Sequence, residues 1–146
     1  MAREEDQNYI ILSGNKLSGE TKISIPTLEV IAFIAVKKVK GVYNLYFSGK
    51  GHFERFFSTN KFNQTKGIFI NKKSDGSIAL SIYVSLFFGV NIPKVSLQIQ
   101  NSVYSAISSM TDLKISNIDI NVINLKEETS STNKKNKVDP NNLFKD

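Results

Sequence analysis

The side chains that catalyse most reactions are scarce in this chain. Its 146 residues include a single histidine, His52, and no cysteine. His52 lies between Gly51 and Phe53, and the nearest carboxylate in the sequence is that of Glu54. Catalysis by this pair would require a rigid loop that holds the imidazole against its partner, whereas glycine beside the histidine is typical of a solvated loop. We therefore predict no catalytic residue and no enzymatic activity.

The carboxylates are too scattered to predict a metal site. A bound metal ion takes three or four ligands from His, Cys or carboxylate side chains. Within residues 21–125 the acidic residues fall on separate predicted elements; they are Glu29, Glu54, Asp75, Asp112 and Asp119. Gly49-Lys-Gly51 lacks the Lys-Ser/Thr ending and the long following helix of a phosphate-binding loop. We therefore predict no metal ion and no cofactor.

A loop over residues 50–66 interleaves aromatic and basic side chains. Two interpretations stay open. In the first, the aromatic rings bind a partner, either by stacking on bases or by inserting into an anionic bilayer surface. In the second, the phenylalanines fold back over the edge of a sheet. The candidate loop contacts are Phe53, Phe56 and Phe57.

The net charge of the chain is +6, and it is distributed unevenly. Residues 21–125 hold twelve basic and five acidic side chains. This positive balance is compatible with binding to nucleic acid or to an anionic membrane. However, specific readers of phosphate and bases usually rely on arginine, and seventeen of the nineteen basic residues are lysine. The acidic start MAREEDQNYI predicts no signal peptide. The apolar runs are far shorter than the roughly 20 residues that span a bilayer, so we expect no transmembrane segment.

The clearest regular pattern runs from Ser77 to Met110. Apolar residues occupy every second position from 78 to 86, which predicts a strand with one face on a core. A structural turn follows, in which glycine permits a bend, asparagine can cap a helix and proline is tolerated in the first turn; it comprises Gly89, Val90, Asn91, Ile92 and Pro93. The apolar period then becomes helical, with a predicted core arc of Val95, Ile99, Val103, Ala106, Ile107 and Met110.

Further elements are predicted on both sides of this stretch. They are a strand at 21–25, a helix at 26–40, a strand at 42–47, a hairpin of 67–72 with 78–88, and a last strand at 114–125. The predicted fold is α+β with two layers, a mixed β-sheet with two helices on one face, in the order β-α-β-β-α-β. We expect an N-terminal arm at residues 1–19, one domain at 20–125 and a disordered polar tail at 126–146. The apolar patch at 9–12 is either an edge strand or part of a mobile arm.

Several motifs together resemble one family. They are Lys22-Ile-Ser-Ile-Pro before a helix of the form Val-Ile-Ala-x-Ile-Ala, the Gly89-Val-Asn-Ile-Pro93 turn, the Met110-Thr-Asp-Leu113 helix end and Ile118-Asp-Ile-Asn-Val122. Over residues 20–125 the chain resembles the alkaline shock proteins of Gram-positive bacteria, also called envelope stress response or Gls-type general stress proteins. The turn and the helix end are the most specific motifs. The chain departs from the family in the aromatic loop at 53–62 and in the Phe87-Phe88 pair.

The resemblance implies a small cytoplasmic protein without enzymatic activity, linked to cell-envelope homeostasis and general stress. Members of the family self-associate or are held at the membrane by a membrane-anchored partner, and others are tied to the control of fatty-acid synthesis. We therefore expect a homo-oligomer or a complex with a membrane-anchored protein, at the inner face of the cell membrane. The alternatives are a regulator of fatty-acid synthesis and a basic nucleic-acid-binding module. Nucleic acid is not the expected partner, because the usual RNA-binding motifs are absent.

The candidate interaction surface lies on the two predicted helices. The second helix carries no charge from residue 95 to 111, although solvated helix faces usually carry Lys and Glu. An uncharged face of small residues permits close approach of another surface; alternatively, codon bias placed Ser and Asn there. The candidate residues are Val30, Phe33 and Ile34 of the first helix, and Leu97, Asn101, Ser102, Tyr104 and Ser105 of the second.

Overall fold

The structure, a computed structural model, describes residues 8–12, 19–45 and 67–128. The candidate loop contacts Phe53, Phe56 and Phe57 and the tail from residue 129 lie outside these ranges. The described elements, in chain order, are β1 (Tyr9–Ile11), β2 (Lys22–Ser24), α1 (Ile25–Lys37), β3 (Val42–Leu45), β4 (Ile68–Lys72), β5 (Ile78–Phe87), α2 (Ile92–Thr111) and β6 (Ile115–Lys126).

Strand β5 is the centre of the main sheet. It pairs in parallel with β6 along its whole length, and antiparallel with β4 through residues 78–82 and with β3 through residues 84–86. Because a strand has only two edges, β3 and β4 share the edge opposite β6. Parallel pairing requires a crossover connection, and α2 provides it between β5 and β6. The hairpin of β4 and β5 turns through residues 73–76, where the N–H of Gly76 donates to the C=O of Lys73 at 3.0 Å.

Both helices begin directly after a residue whose side chain caps the first turn. The hydroxyl of Ser24 accepts from the N–H of Thr27 at 3.2 Å, and the side-chain oxygen of Asn91 accepts from the N–H of Lys94 at 2.9 Å. Each contact satisfies a backbone donor that has no partner within the helix. Asp112 caps the end of α2; it adopts a left-handed conformation with φ of 59° and donates its N–H to the C=O of Ser108.

The core lies between β5 and the two helices. Helix α1 packs over β3 and β4, α2 packs over β6, and the helices pack against each other. In the described segments, the largest side chains with almost no exposed surface come from these three elements: Ile78, Leu80, Ile82, Val84 and Leu86 of β5, Ile99, Val103 and Ile107 of α2, and Leu28 and Val36 of α1. Each contributes about 1.5–3 kcal/mol through burial. The alternation predicted for β5 is thus confirmed, as is the α+β fold with both helices on one face of a mixed sheet.

The predicted strand at 42–47 and the predicted hairpin are all present, so within the described ranges three strands separate the helices. The predicted order β-α-β-β-α-β counts one strand too few there. Strand β2 does not join the main sheet; it pairs antiparallel with β1 in a separate two-stranded sheet. The apolar patch at 9–12 is therefore a strand, and Ile10 at its centre is only 3% exposed.

The predicted core arc of α2 is wrong at its last position. Met110 is 66% exposed, and the next residue, Thr111, is buried in its place. The apolar side of α2 follows steps of four residues from Val95 to Ile107, and a further step of four reaches Thr111. Its hydroxyl is satisfied there, because it donates to the C=O of Ile107 at 2.6 Å.

Candidate interaction surface

Helices α1 and α2 approach each other closely through small side chains. The hydroxyl of Ser102 in α2 donates to the backbone C=O of Ala35 in α1 at 2.8 Å. A direct contact between a short side chain and a neighbouring backbone requires that no bulky group stand between the helices. Ala35 is buried, and Ser102 and Ala106 are partly buried at this crossing. Small residues thus set the distance between the two helices.

Above this crossing, on the side away from the sheet, the helices leave an open groove of about 390 Å³. Ile34 and Met110 flank it and are 50% and 66% exposed. Among the described residues, Lys38 is the one charged side chain that lines it. The remaining lining residues are small or apolar: Ile31, Ala35, Ser102, Ser105, Ala106 and Ser109. The groove is therefore a nearly uncharged concave surface.

The structure brings together only part of the sequence-predicted surface. Ile34, Ser102 and Ser105 line the groove, whereas the other candidates do not. Ser102 was expected to face outward but instead faces α1, because its hydroxyl bonds to that helix. Phe33 is partly buried and packs against the core. The candidates that remain exposed outside the groove are Val30, Leu97, Asn101 and Tyr104.

Sequence reasoning missed that the groove joins the two helix faces into one surface. Ala106, Ser109 and Met110 of α2 belong to it, and so does Ile31 of α1. A usable signal was present, since Ser102, Ser105, Ala106 and Ser109 follow helical spacing of three and four residues. Small residues at that spacing permit a neighbouring helix to approach, but the spacing does not identify which helix of the chain, or of a partner, packs there.

A second groove, of about 500 Å³, lies at the end of the sheet beside the Gly89–Pro93 turn. Gly89 has a φ of +100°, a conformation that glycine adopts without steric cost. Phe88 lines this groove and is 71% exposed. Lys40, Lys94 and Glu128 supply its charged side chains. This groove therefore combines an exposed aromatic ring with charged groups.

The sheet face opposite the helices carries aromatic side chains. Phe69 and Tyr83 meet edge to face with ring centroids 5.7 Å apart, and Tyr43 and Phe87 do so at 5.5 Å. Sequence reasoning assigned no aromatic set to this sheet. The pairing register reveals it, because Phe69 lies opposite Ser81, next to Tyr83 on the same face of the sheet.

The acidic side chains of the described segments do not gather into a metal-binding cluster. Within residues 8–12, 19–45 and 67–128, no three His, Cys, Asp or Glu side chains come close enough to hold a metal ion. Asp75 accepts from the hydroxyl of Ser77 at 2.6 Å and from its N–H at 2.9 Å. These hydrogen bonds lower the pKa of Asp75 below its ordinary value. The carboxylate therefore stabilises the turn between β4 and β5.

Comparison with known proteins identifies relatives over most of the chain. An uncharacterized protein of Streptococcus pyogenes, Spy1535, is 40% identical over 104 residues, which is 71% of this chain and 77% of the relative. An uncharacterized protein of Bacillus subtilis, YqhY, is 33% identical over 118 residues, which is 77% of this chain and 82% of that protein. No solved structure shows significant similarity to the chain.

The family assignment follows from residues 13–127, which match the model of the alkaline shock protein 23 family, described as having a cell envelope-related function. Neither described helix combines the length and apolar character needed to cross a bilayer. The matched range contains every element from β2 to β6 and, apart from Glu128, all the residues that line the two grooves. The resemblance to alkaline shock proteins is thereby confirmed, and the chain belongs to the alkaline shock protein 23 family.

Proposed function

We propose that this protein acts in the envelope and general stress response as a non-enzymatic cytoplasmic protein that works by assembly. It associates with itself or with a membrane-anchored partner at the inner face of the cell membrane. The family supports the envelope role, because its description is cell envelope-related. The observation that carries the assembly is the nearly uncharged groove between α1 and α2.

The groove is suited to a helix of a second molecule. An uncharged surface loses little hydration energy when it is covered, and small residues allow close approach of another backbone. Ile34 and Met110 expose apolar surface on its two sides, and burying them against a partner would be favourable.

A second copy of the chain is the occupant that we favour. The same surface offers a concave floor at Ser102 and Ser105 and exposed apolar side chains at Ile34 and Met110. A surface with both features can pair with its own copy about a two-fold axis, which is the commonest symmetry of homo-oligomers.

Sedimentation of the full chain tests this assembly. We expect the wild type to sediment as a dimer or larger species, and Ser105→Lys to shift it towards the monomer, because a buried lysine without a partner is costly. Ser74→Lys makes the same substitution on an exposed turn residue and should leave the assembly unchanged. A monomeric wild type at high concentration, or a Ser105→Lys variant that assembles equally well, would contradict self-association through the groove.

A second candidate function is single-stranded nucleic-acid binding. The aromatic rings of Phe69 and Tyr83 on the outer sheet face favour it, since bases stack on such rings. The measurement is the affinity for random RNA and DNA at physiological salt. Submicromolar binding with a steep salt dependence would favour this function over assembly. A role in the control of fatty-acid synthesis is supported only by the family resemblance.

A further inference from the structure

Phe88 is an exposed aromatic side chain held on a fixed turn. It is 71% exposed, more than any other large apolar side chain in the described part of the chain. Its backbone is nevertheless fixed, because its N–H donates to the C=O of Lys126 at 2.9 Å and Val90 N–H donates to the C=O of Phe87 at 3.4 Å. A ring presented on an ordered backbone loses little conformational entropy when it binds.

Lysines lie near Phe88 at this end of the domain. Lys40, after α1, and Lys94, in the first turn of α2, line the same groove as Phe88. Lys126, the last residue of β6, accepts from the N–H of Phe88 through its backbone C=O, and its ammonium group lies 5.8 Å from the centroid of the Tyr43 ring. Lys37 ends α1 and Lys38 caps it, three and two residues before Lys40 in the chain. Together with Phe88, these five lysines constitute what we call the basic end, namely Lys37, Lys38, Lys40, Lys94 and Lys126.

The charge balance of the basic end is positive. Glu127 and Glu128 are the carboxylates that follow β6 there, so five lysines stand against two carboxylates at this end, and the side chain of one of them, Lys38, lines the groove between the helices. Among the described residues, neither Lys40 nor Lys94 forms a salt bridge. A negatively charged surface is therefore the complementary partner.

We propose that the basic end docks directly on the surface of an anionic lipid bilayer, with the Phe88 ring inserted among the headgroups. This inference goes beyond the proposed function, in which a partner protein supplies the contact with the membrane. Lysine ammonium groups on flexible stems can follow mobile phosphates as point charges. The fixed carboxylates of a protein partner are more often bound by the planar fork of arginine, and the basic end contains none.

Binding of the purified full chain to vesicles tests the proposal. We expect the wild type to sediment with vesicles of equal parts phosphatidylglycerol and phosphatidylcholine, and not with phosphatidylcholine alone. Phe88→Ser should weaken the binding about tenfold, because it removes the apolar group that enters the headgroup region. The double variant Lys40→Gln/Lys94→Gln should weaken it as well, and added salt should reduce the binding. Ile11→Ser, which removes another exposed apolar side chain, should bind as the wild type does.

Three results would overturn the proposal. The first is that the wild type does not bind anionic vesicles at low salt. The second is that it binds zwitterionic vesicles as tightly as anionic ones, and the third is that Phe88→Ser binds anionic vesicles with unchanged affinity. Because Phe88 lies outside the groove between the helices, Phe88→Ser should sediment as the wild type does in the absence of vesicles. A failure of lipid docking is thereby distinguished from a failure of assembly.

Discussion

Ser102 and Ala35, 67 residues apart in the chain, are joined by a hydrogen bond of 2.8 Å between the hydroxyl of one helix and the backbone C=O of the other. This bond fixes how α1 and α2 lie beside each other on the sheet. The groove that we propose for assembly lies over the same contact, so the packing of the helices also determines the shape of that surface.

Removing this hydrogen bond should weaken the domain measurably. We expect Ser102→Ala to lower the free energy of unfolding by about 0.5–1.5 kcal/mol. Ser102→Leu should cost more, about 1–3 kcal/mol, because a larger side chain forces the helices apart. Urea denaturation provides the measurement. Ser105→Ala, at an exposed groove position, serves as the control, and an equal loss in both alanine variants would mean that the hydrogen bond contributes nothing.

Replacing Ile82 with Asp should unfold the protein. Ile82 has no exposed surface at the centre of β5, and an unpaired buried charge costs several kcal/mol against a total stability of about 5–15 kcal/mol. Circular dichroism would report the loss of helix and strand. Asn71→Asp places the same charge on an exposed position of β4 and should fold normally. A folded Ile82→Asp protein would refute the register of β5.

Two glycines with positive φ should respond differently to alanine. Gly41 has a φ of +102°, and an added Cβ would lie 3.2 Å from a methyl group of Val95, whereas at Gly76, with a φ of +88°, it would meet nothing within 4 Å. Both variants incur backbone strain of about 1–3 kcal/mol, and Gly41→Ala also disturbs the packing of α2. Thermal denaturation should therefore show the larger loss for Gly41→Ala, and equal losses would contradict the close approach of Gly41 to Val95.

The carboxylate of Asp75 should make the stability depend on pH. The hydroxyl and N–H of Ser77 lower its pKa in the folded state, so its contribution is present above the unfolded pKa and is lost as the pH falls through the lowered folded pKa. Titration followed by NMR should show this low pKa in the wild type and a higher pKa in Ser77→Ala, which removes the hydroxyl. An unchanged pKa in that variant would assign the shift to another group.

Two truncations of the C-terminus should differ in stability. From the sequence we predict that the tail at 126–146 adds little to the core, but the structure places Lys126 in β6. Deleting only residues 129–146 should therefore leave the melting temperature nearly unchanged. Deleting residues 126–146 also removes Lys126, whose C=O accepts from the N–H of Phe88 at 2.9 Å, and should lower it. A large loss in the shorter deletion would mean that residues 129–146 stabilise the domain.

The local elements and the family could be predicted from the order of the residues. The alternation from Ile78 to Leu86 indicates a strand with one buried face because side chains alternate with a period of two. Ser24 and Asn91 mark the helix starts because their side chains accept from backbone donors that the helix leaves unpaired. The Gly89–Pro93 turn and the Met110–Leu113 end identified the family that residues 13–127 match. All of these signals act over a few residues.

How these elements meet could be seen only once the chain was folded. Periodicity distinguishes the apolar side of an element from its polar side, but it does not say which neighbour covers that side. It therefore predicted neither that β3 and β4 share one edge of β5 nor that Ser102 faces α1. The exposure of Met110 and Phe88 likewise depends on contacts between segments far apart in the chain. Both proposed surfaces arise from such contacts, because each is assembled from residues on different elements.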